Sequence, residues 1–150
     1  SQKAIDFVTE FDGEFLLDSF EESGRVDVGI VFHPTRANNN WQLVFLNGSP
    51  RLVAAEDVQD IDVTQDPSYP ALAQQQPNLF FWTTEPLLEA IQNLPGGGQR
   101  FVVSYPFYKG CHACGVGGYS LLAFDFDAQG VFLGKELLGV SASKPAVPNP

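Results

Sequence analysis

The side chains with the most chemical potential lie in one short segment, Cys111-His112-Ala113-Cys114. Cysteines at this spacing can join in a local disulfide, and the same spacing occurs in thiol–disulfide oxidoreductases. In those enzymes the first cysteine caps a helix, whose N-terminus favours the thiolate. Here Gly115, Gly117 and Gly118 follow, and glycines make a poor first helical turn. The pattern favours a structural disulfide in a tight loop, with thiol–disulfide exchange or redox sensing by Cys111 and Cys114 as the alternative.

Metal binding is a further interpretation of the same segment. A closed structural zinc site takes four ligands, and Cys111, Cys114, His112 and His33 are all the cysteines and histidines that the chain has. The position of His112 between the two cysteines argues against this set, because adjacent residues seldom ligate one ion together. Inert reduced thiols are the remaining interpretation of the two cysteines.

The rest of the sequence carries no catalytic or nucleotide-binding signature. It has no Gly-x-Ser-x-Gly, no His-Glu-x-x-His, no phosphate loop and no Gly-x-Gly-x-x-Gly after a strand. We therefore predict no catalytic residues and no cofactor. Our leading hypothesis is a non-catalytic protein that acts by binding another protein or a small ligand.

Composition and charge limit the classes of molecule that the protein can bind. The chain has 150 residues, of which 18 are acidic and 8 basic, and its formal net charge is −10. This charge repels phosphate backbones and anionic lipid surfaces, so we predict no nucleic-acid partner. No apolar run reaches the length of a transmembrane helix. The sequence begins with Ser1 and contains no methionine, so we expect a processed or trimmed piece of a longer chain.

The hydrophobic pattern predicts an α+β fold, in which a mainly antiparallel sheet of five or six strands has helices packed on one face. We predict one domain over residues 1–143 and a flexible, proline-containing tail over 144–150. The run Phe80-Phe81-Trp82 is predicted to be core. Predicted helices end near Phe11, cover Glu14 to Glu22, and follow Thr83 or Thr84 through Leu87, Leu88, Ile91 and Leu94. Predicted strands cover 26–32, 41–46, 51–55, 100–107, 119–127 and 131–140, and the connection 56–78 is predicted to lie on the surface with a short helix at 71–75.

Part of the sequence resembles a known group of proteins. The segment Gly110-Cys111-His112-Ala113-Cys114, followed by Ala123-Phe124-Asp125-Phe126-Asp127 and by Gly130-Val131-Phe132-Leu133-Gly134, is similar to the C-terminal part of uncharacterised exported bacterial proteins. The resemblance implies export to the periplasm or an equivalent oxidising compartment, where disulfides persist. It implies no particular activity.

Overall fold

The structure is a computed structural model that describes residues 1–11 and 15–150. Within these residues, short helices are outnumbered by antiparallel strands. In chain order the elements are α1 (Gln2–Glu10), β1 (Leu16–Glu21), β2 (Asp27–Phe32), β3 (Trp41–Leu46), β4 (Leu52–Ala54), α2 (Tyr69–Gln75), β5 (Leu79–Phe81), β6 (Leu87–Asn93), β7 (Gln99–Lys109), β8 (Val116–Phe126) and β9 (Phe132–Ser141).

The strands form two antiparallel sheets. Sheet 1 is a 4-stranded meander in the order β1-β2-β3-β4. Sheet 2 is 5-stranded: β7 pairs with β8 on one side and with β5 and β6, one after the other, on its other side, while β9 lies beyond β8. Consecutive strands pair almost throughout, as expected for a chain with short connections.

The main hydrophobic core lies between the two sheets. Alternate residues of β2 and β3, such as Val28 and Phe45, face alternate residues of β7 and β8, such as Phe101 and Phe124. The ring of Phe45 lies 4.6 Å from that of Phe101 and 5.0 Å from that of Phe124, measured between centroids. Sheet 1 and sheet 2 therefore bury each other's inner faces, as in a β-sandwich.

The predicted α+β class, with helices packed on one face of a single sheet, is wrong. The second layer over the main core is another sheet, and the α-helices in the described part of the chain have only 9 and 7 residues. Phe7 is the buried residue of α1, in a separate cluster with Val31, Val44 and Leu46 on the outer face of sheet 1. Neither helix within residues 1–11 and 15–150 has the length and apolar character needed to cross a membrane.

The helix predicted after Thr84 is strand β6, and a β-bulge explains the error. Leu88 pairs with Val103 and Ile91 with Phe101, and the register shifts between them. Val103 and Phe101 both face the core, so the bulge gives two side chains three positions apart the same inner face. A spacing of three residues is typical of a helix and absent from a regular strand, so this sequence pattern predicts a helix where a bulged strand forms.

The helix predicted over Glu14 to Glu22 is wrong for the same reason. Residues 16–21 form β1, and Glu14 itself lies outside the described residues. A register shift follows Leu17, so that Leu17 and Phe20 both pack against the outer cluster of sheet 1. Two of the predicted helices are thus bulged edge strands.

The other elements lie close to their predicted positions, except β5, for which no strand was predicted. The first predicted helix is α1, and the predicted strands correspond to β2, β3, β4, β7, β8 and β9. The connection 56–78 contains α2 near its predicted place, but Val58, Val63 and Leu72 are buried, so this segment is partly packed. The division into a domain and a flexible tail stays a prediction. In the structure the tail makes two polar contacts, from Gln92 Nε2 to the carbonyl of Pro148 at 2.6 Å and between Lys144 and Glu89 at 2.9 Å.

Candidate functional site

Cys111 and Cys114 form a disulfide, with their Cα atoms 5.1 Å apart. They lie in the exposed loop that joins β7 to β8, and a single 3-10 turn over His112–Cys114 follows Cys111 in place of an α-helix. The amide of Cys114 donates to the carbonyl of Cys111 at 3.0 Å, and Gly115 then leaves the loop at a φ of 89°. Because this φ favours glycine, the sequence closes the disulfide loop as a compact turn between two strands.

The disulfide loop places His112 on an aromatic surface. The imidazole stacks on the indole of Trp82 with ring centroids 4.9 Å apart, and it meets the ring of Tyr108 edge-on at 4.8 Å. Phe80 extends this surface, with its ring 5.7 Å from Trp82 and 6.0 Å from Tyr108. Of the run predicted to be core, Phe81 does pack against the main core, while its two neighbours belong to this outer aromatic surface.

Glu85 connects the disulfide loop to the turn between β5 and β6. The Tyr108 hydroxyl donates to Glu85 Oε2 at 2.6 Å, and His112 Nε2 lies 2.6 Å from Glu85 Oε1. Partial burial works against the charged carboxylate, but these two hydrogen bonds outweigh it and hold the pKa of Glu85 below its usual value. The same contact raises the pKa of Tyr108 to about 12. Glu85 is thus a negatively charged group at neutral pH with a fixed orientation.

Next to Glu85 an open groove runs between the two sheets, along the side where β1 and β6 lie. It consists of two adjoining cavities of about 370 Å³ and 380 Å³, which share Ile30, Leu43 and Pro86. We call it the inter-sheet groove. Its other lining residues are Asn39, Asn40, Trp41, Gln42, Thr84 and Glu85 towards one end, and Ser19, Phe20, Glu21, Val28, Leu87 and Leu88 towards the other.

At the Glu85 end of the groove, the inner face of sheet 1 is not covered by sheet 2. Leu16, Phe32 and Trp41 form a cross-strand row, since Phe32 pairs with each of the other two. The rings of Phe32 and Trp41 lie 5.0 Å apart, yet Trp41 is 58% exposed and Leu16 is 59% exposed. We call this row the overhang. It places a large flat aromatic side chain in solvent beside a preformed carboxylate.

His33 belongs to a different polar network from that of His112. His33 Nε2 lies 3.2 Å from Gln42 Oε1, and Gln42 Nε2 donates to Glu56 Oε2 at 2.9 Å. Arg36 lies 3.8 Å from the same carboxylate oxygen. Burial is the main influence on Glu56, and it raises the pKa of this carboxyl despite the hydrogen bond from Gln42 and the nearby charge of Arg36.

The proposed metal ligands are therefore divided between two places. His112 lies against Trp82 and Glu85, His33 lies against Gln42, and the sulfur atoms of the cysteines are bonded to each other. In the part of the chain that the structure describes, no group of three or more His, Cys, Asp or Glu side chains is arranged to hold a metal ion. Metal binding by the reduced loop stays a prediction.

Trp41, Glu85 and Tyr108 were not among the predicted site residues. One signal for Trp41 was present: it alternates with Leu43 and Phe45 and so faces the inner side of sheet 1. Glu85 falls at the start of a predicted helix, and its partners Tyr108 and His112 are distant in sequence, so no local pattern marks it as a site residue.

Relatives give no independent assignment of this site. Comparison of the chain with protein-family models, with curated proteins and with solved structures found no match. A function must therefore be inferred from the side chains of the groove, the overhang and the disulfide loop.

Proposed function

We propose that this chain is a non-catalytic binding domain of an exported protein, and that it takes its ligand into the inter-sheet groove. The observation that carries the proposal is the overhang, where the inner face of sheet 1 continues past sheet 2 and exposes Trp41 next to Glu85. An inner sheet face left open in this way is apolar surface that a ligand can cover.

The groove has the composition of a ligand site. Its floor is apolar, formed by Val28, Ile30 and Leu43, and polar side chains converge at one end. Sites for ligands are usually concave and mainly apolar, with a small number of polar groups that fix orientation. Glu85 is such a group, because Tyr108 and His112 hold its carboxylate before any ligand arrives. A preorganised group costs less entropy on binding.

The disulfide fits a supporting role in an oxidising compartment. The bridge closes a loop between two strands and holds His112 against Glu85, so its contribution is to the shape of the groove end. Exposed disulfides persist outside reducing compartments. The resemblance to exported bacterial proteins supports the same location.

Thiol–disulfide exchange is the second candidate function, favoured by the exposure of both cysteines. An exchanging thiol also needs a thiolate-stabilising environment, which a helix N-terminus usually provides. The 3-10 turn after Cys111 is too short to supply a helix dipole of that kind. Binding is therefore the better-supported function.

The test is an amide-resolved NMR titration of the chain with cationic, neutral and anionic fragments. We expect the largest shifts at groove and overhang residues for at least one charge class. Trp41→Ala should weaken that binding about tenfold or more, as expected for a central aromatic contact. Leu133→Ala is the matched control, because Leu133 is 63% exposed but lies on β9, away from the groove. If all three charge classes leave the groove unshifted, the proposed function is wrong.

A further inference from the structure

We propose that the ligand of the inter-sheet groove is an extended peptide segment of a partner protein that carries basic side chains. This inference rests on the proposed function and adds the chemical class of the ligand. Three properties of the groove lead to it: the sign of its charge, the apolar character of its floor and the edge strands that border it.

The charged side chains among the groove-lining residues are both acidic. Glu85 lies at one end and Glu21 at the other, and none of the described residues that line the groove is Lys, Arg or His. The chain as a whole is also acidic, with a formal net charge of −10. Complementary charge steers association and excludes partners of like charge, so a cationic ligand is favoured over a neutral or anionic one.

Glu85 can bind a cation while it keeps its hydrogen bonds from Tyr108 and His112. Each of its oxygens accepts one hydrogen bond, from Tyr108 or from His112, and a carboxylate oxygen has two lone pairs. The Glu85 side chain is also 42% exposed, so an incoming ammonium or guanidinium group can reach it. A lysine or arginine of the ligand would complete the hydrogen bonding of this carboxylate.

The floor of the groove argues against two other ligand classes. Ile30, Leu43 and Leu88 offer no hydrogen-bond partners to a sugar, whose hydroxyls would lose hydration on this surface. A fatty acid would match the apolar floor, but its carboxylate would meet Glu21 or Glu85. A peptide that carries both apolar and basic side chains on the same face, at every second position, can pack its apolar groups on the floor and pair its basic groups with the carboxylates.

Edge strands on both sides of the groove suit an extended main chain. Among the described residues, β1 pairs only with β2, and β6 pairs only with β7. Ser19 on β1 and Leu88 on β6 both line the groove, so each of these edge strands borders it. An extended peptide can hydrogen-bond along such an edge while alternate side chains enter the groove. Successive side chains on one face of the peptide would lie about 7 Å apart.

The proposal can be tested by fluorescence polarisation with defined peptides and the whole chain. The probe is a labelled decapeptide, blocked at both ends, in which lysine and leucine take turns at every second position and threonine fills the positions between them, so that one face carries both lysine and leucine. Comparison peptides carry glutamine or glutamate in place of lysine, and another keeps the lysines but has prolines that remove main-chain donors. We expect the lysine peptide to bind most tightly, with weaker binding at high salt and for the proline peptide.

Two charge variants locate the contact. Glu85→Gln should weaken binding of the lysine peptide about two- to fivefold, the range for an exposed ion pair. Asp57→Asn is the control, because it removes an equal charge from an exposed position just after β4, outside the groove lining. The glutamine peptide should bind Glu85→Gln and the wild type alike.

Several results would overturn the inference and leave the proposed function standing. Equal affinity for the lysine, glutamine and glutamate peptides would remove the role of charge, and full binding by the proline peptide would remove the role of the edge strands. Saturable binding of neutral oligosaccharides in the groove, without peptide binding, would assign the site to a glycan. Fragment shifts in the groove without any peptide binding would reject a peptide ligand alone.

Discussion

Glu85 and His112 lie 2.6 Å apart, although one belongs to the β5–β6 turn and the other lies between the two cysteines of the disulfide loop. Through this contact the only disulfide in the described structure reaches a residue that lines the inter-sheet groove. The bridge is thus mechanically connected to the proposed ligand site, and its removal is expected to have local consequences there.

Replacement of both cysteines by serine should have a small effect on stability and a localised effect on structure. Closing so short a loop restricts the unfolded chain only slightly, so the free energy of unfolding should fall by no more than about 2 kcal/mol. Urea unfolding measures this change, and amide NMR spectra should shift mainly at 82–85 and 108–116. A much larger loss, or shifts spread over both sheets, would contradict a local role for the bridge.

The disulfide should not turn over. The bridge lies in a loop between strands, so the first cysteine lacks the helix N-terminus that stabilises a reactive thiolate. An insulin-reduction assay with dithiothreitol should show the background rate. Catalysis that disappears in Cys111→Ser would instead place the protein among the thiol–disulfide oxidoreductases.

Glu85 should stabilise the protein at neutral pH and lose this effect in acid. Hydrogen bonds from Tyr108 and His112 lower its pKa in the folded state, despite the opposing effect of partial burial, from an ordinary value of 4.5. The stabilisation is therefore present above pH 4.5 and lost as the pH falls through the lowered pKa. At pH 7, Glu85→Gln should reduce the free energy of unfolding by less than about 1 kcal/mol, because the pair is exposed. The difference between the two proteins should shrink as the pH falls below 4.5, and a difference that stays constant down to acid unfolding would exclude a charge effect.

Glu56 should show the opposite pH dependence. Burial raises its pKa in the folded state, so its contribution favours folding below pH 4.5 and is lost as the pH rises through the raised value. Glu56→Gln keeps an acceptor for Gln42 and should raise the free energy of unfolding at pH 7 by up to about 1 kcal/mol. Urea titrations of this variant between pH 4 and pH 8 should be flatter than those of the wild type. Destabilisation at pH 7 would show that the ion pair with Arg36 outweighs the cost of burial.

The sequence predicts β2, β3, β4, β7, β8 and β9 well, but it assigns the edge strands β1 and β6 to helices, for a physical reason. β2, β3 and β8 are short segments rich in β-branched, aromatic and other apolar residues, most of them buried, and such segments favour strands. In β1 and β6 a bulge brings Leu17 and Phe20, or Leu88 and Ile91, to one face at a spacing of three. Sequence periodicity reports that spacing correctly but cannot distinguish a bulged strand from a helical turn.

The candidate site, like the fold, is only partly predictable from the sequence. The disulfide can be predicted from the sequence, because its two cysteines are close together in the chain and their spacing defines the loop. The groove cannot be predicted from the sequence, because its existence depends on how far sheet 2 extends over sheet 1. Trp41 would be an ordinary core residue under a longer second sheet, and it is exposed only because that cover ends.

The bulges in β1 and β6 also affect whether two copies of the molecule can pair along their sheet edges. Each lies on an edge strand and is centred on an acidic residue, Asp18 in β1 and Glu89 in β6. A bulge interrupts the regular row of donors and acceptors, and the exposed charge of Asp18 also discourages a second sheet from docking at β1. Glu89 is mostly buried and paired with Lys144, so at β6 the bulge acts without a free charge. A long strand of another copy would find neither edge straight enough to pair along its whole length. A short guest of a few residues could still pair beside the interruption, so the same irregularity would select for segment length and protect against fibrous self-assembly.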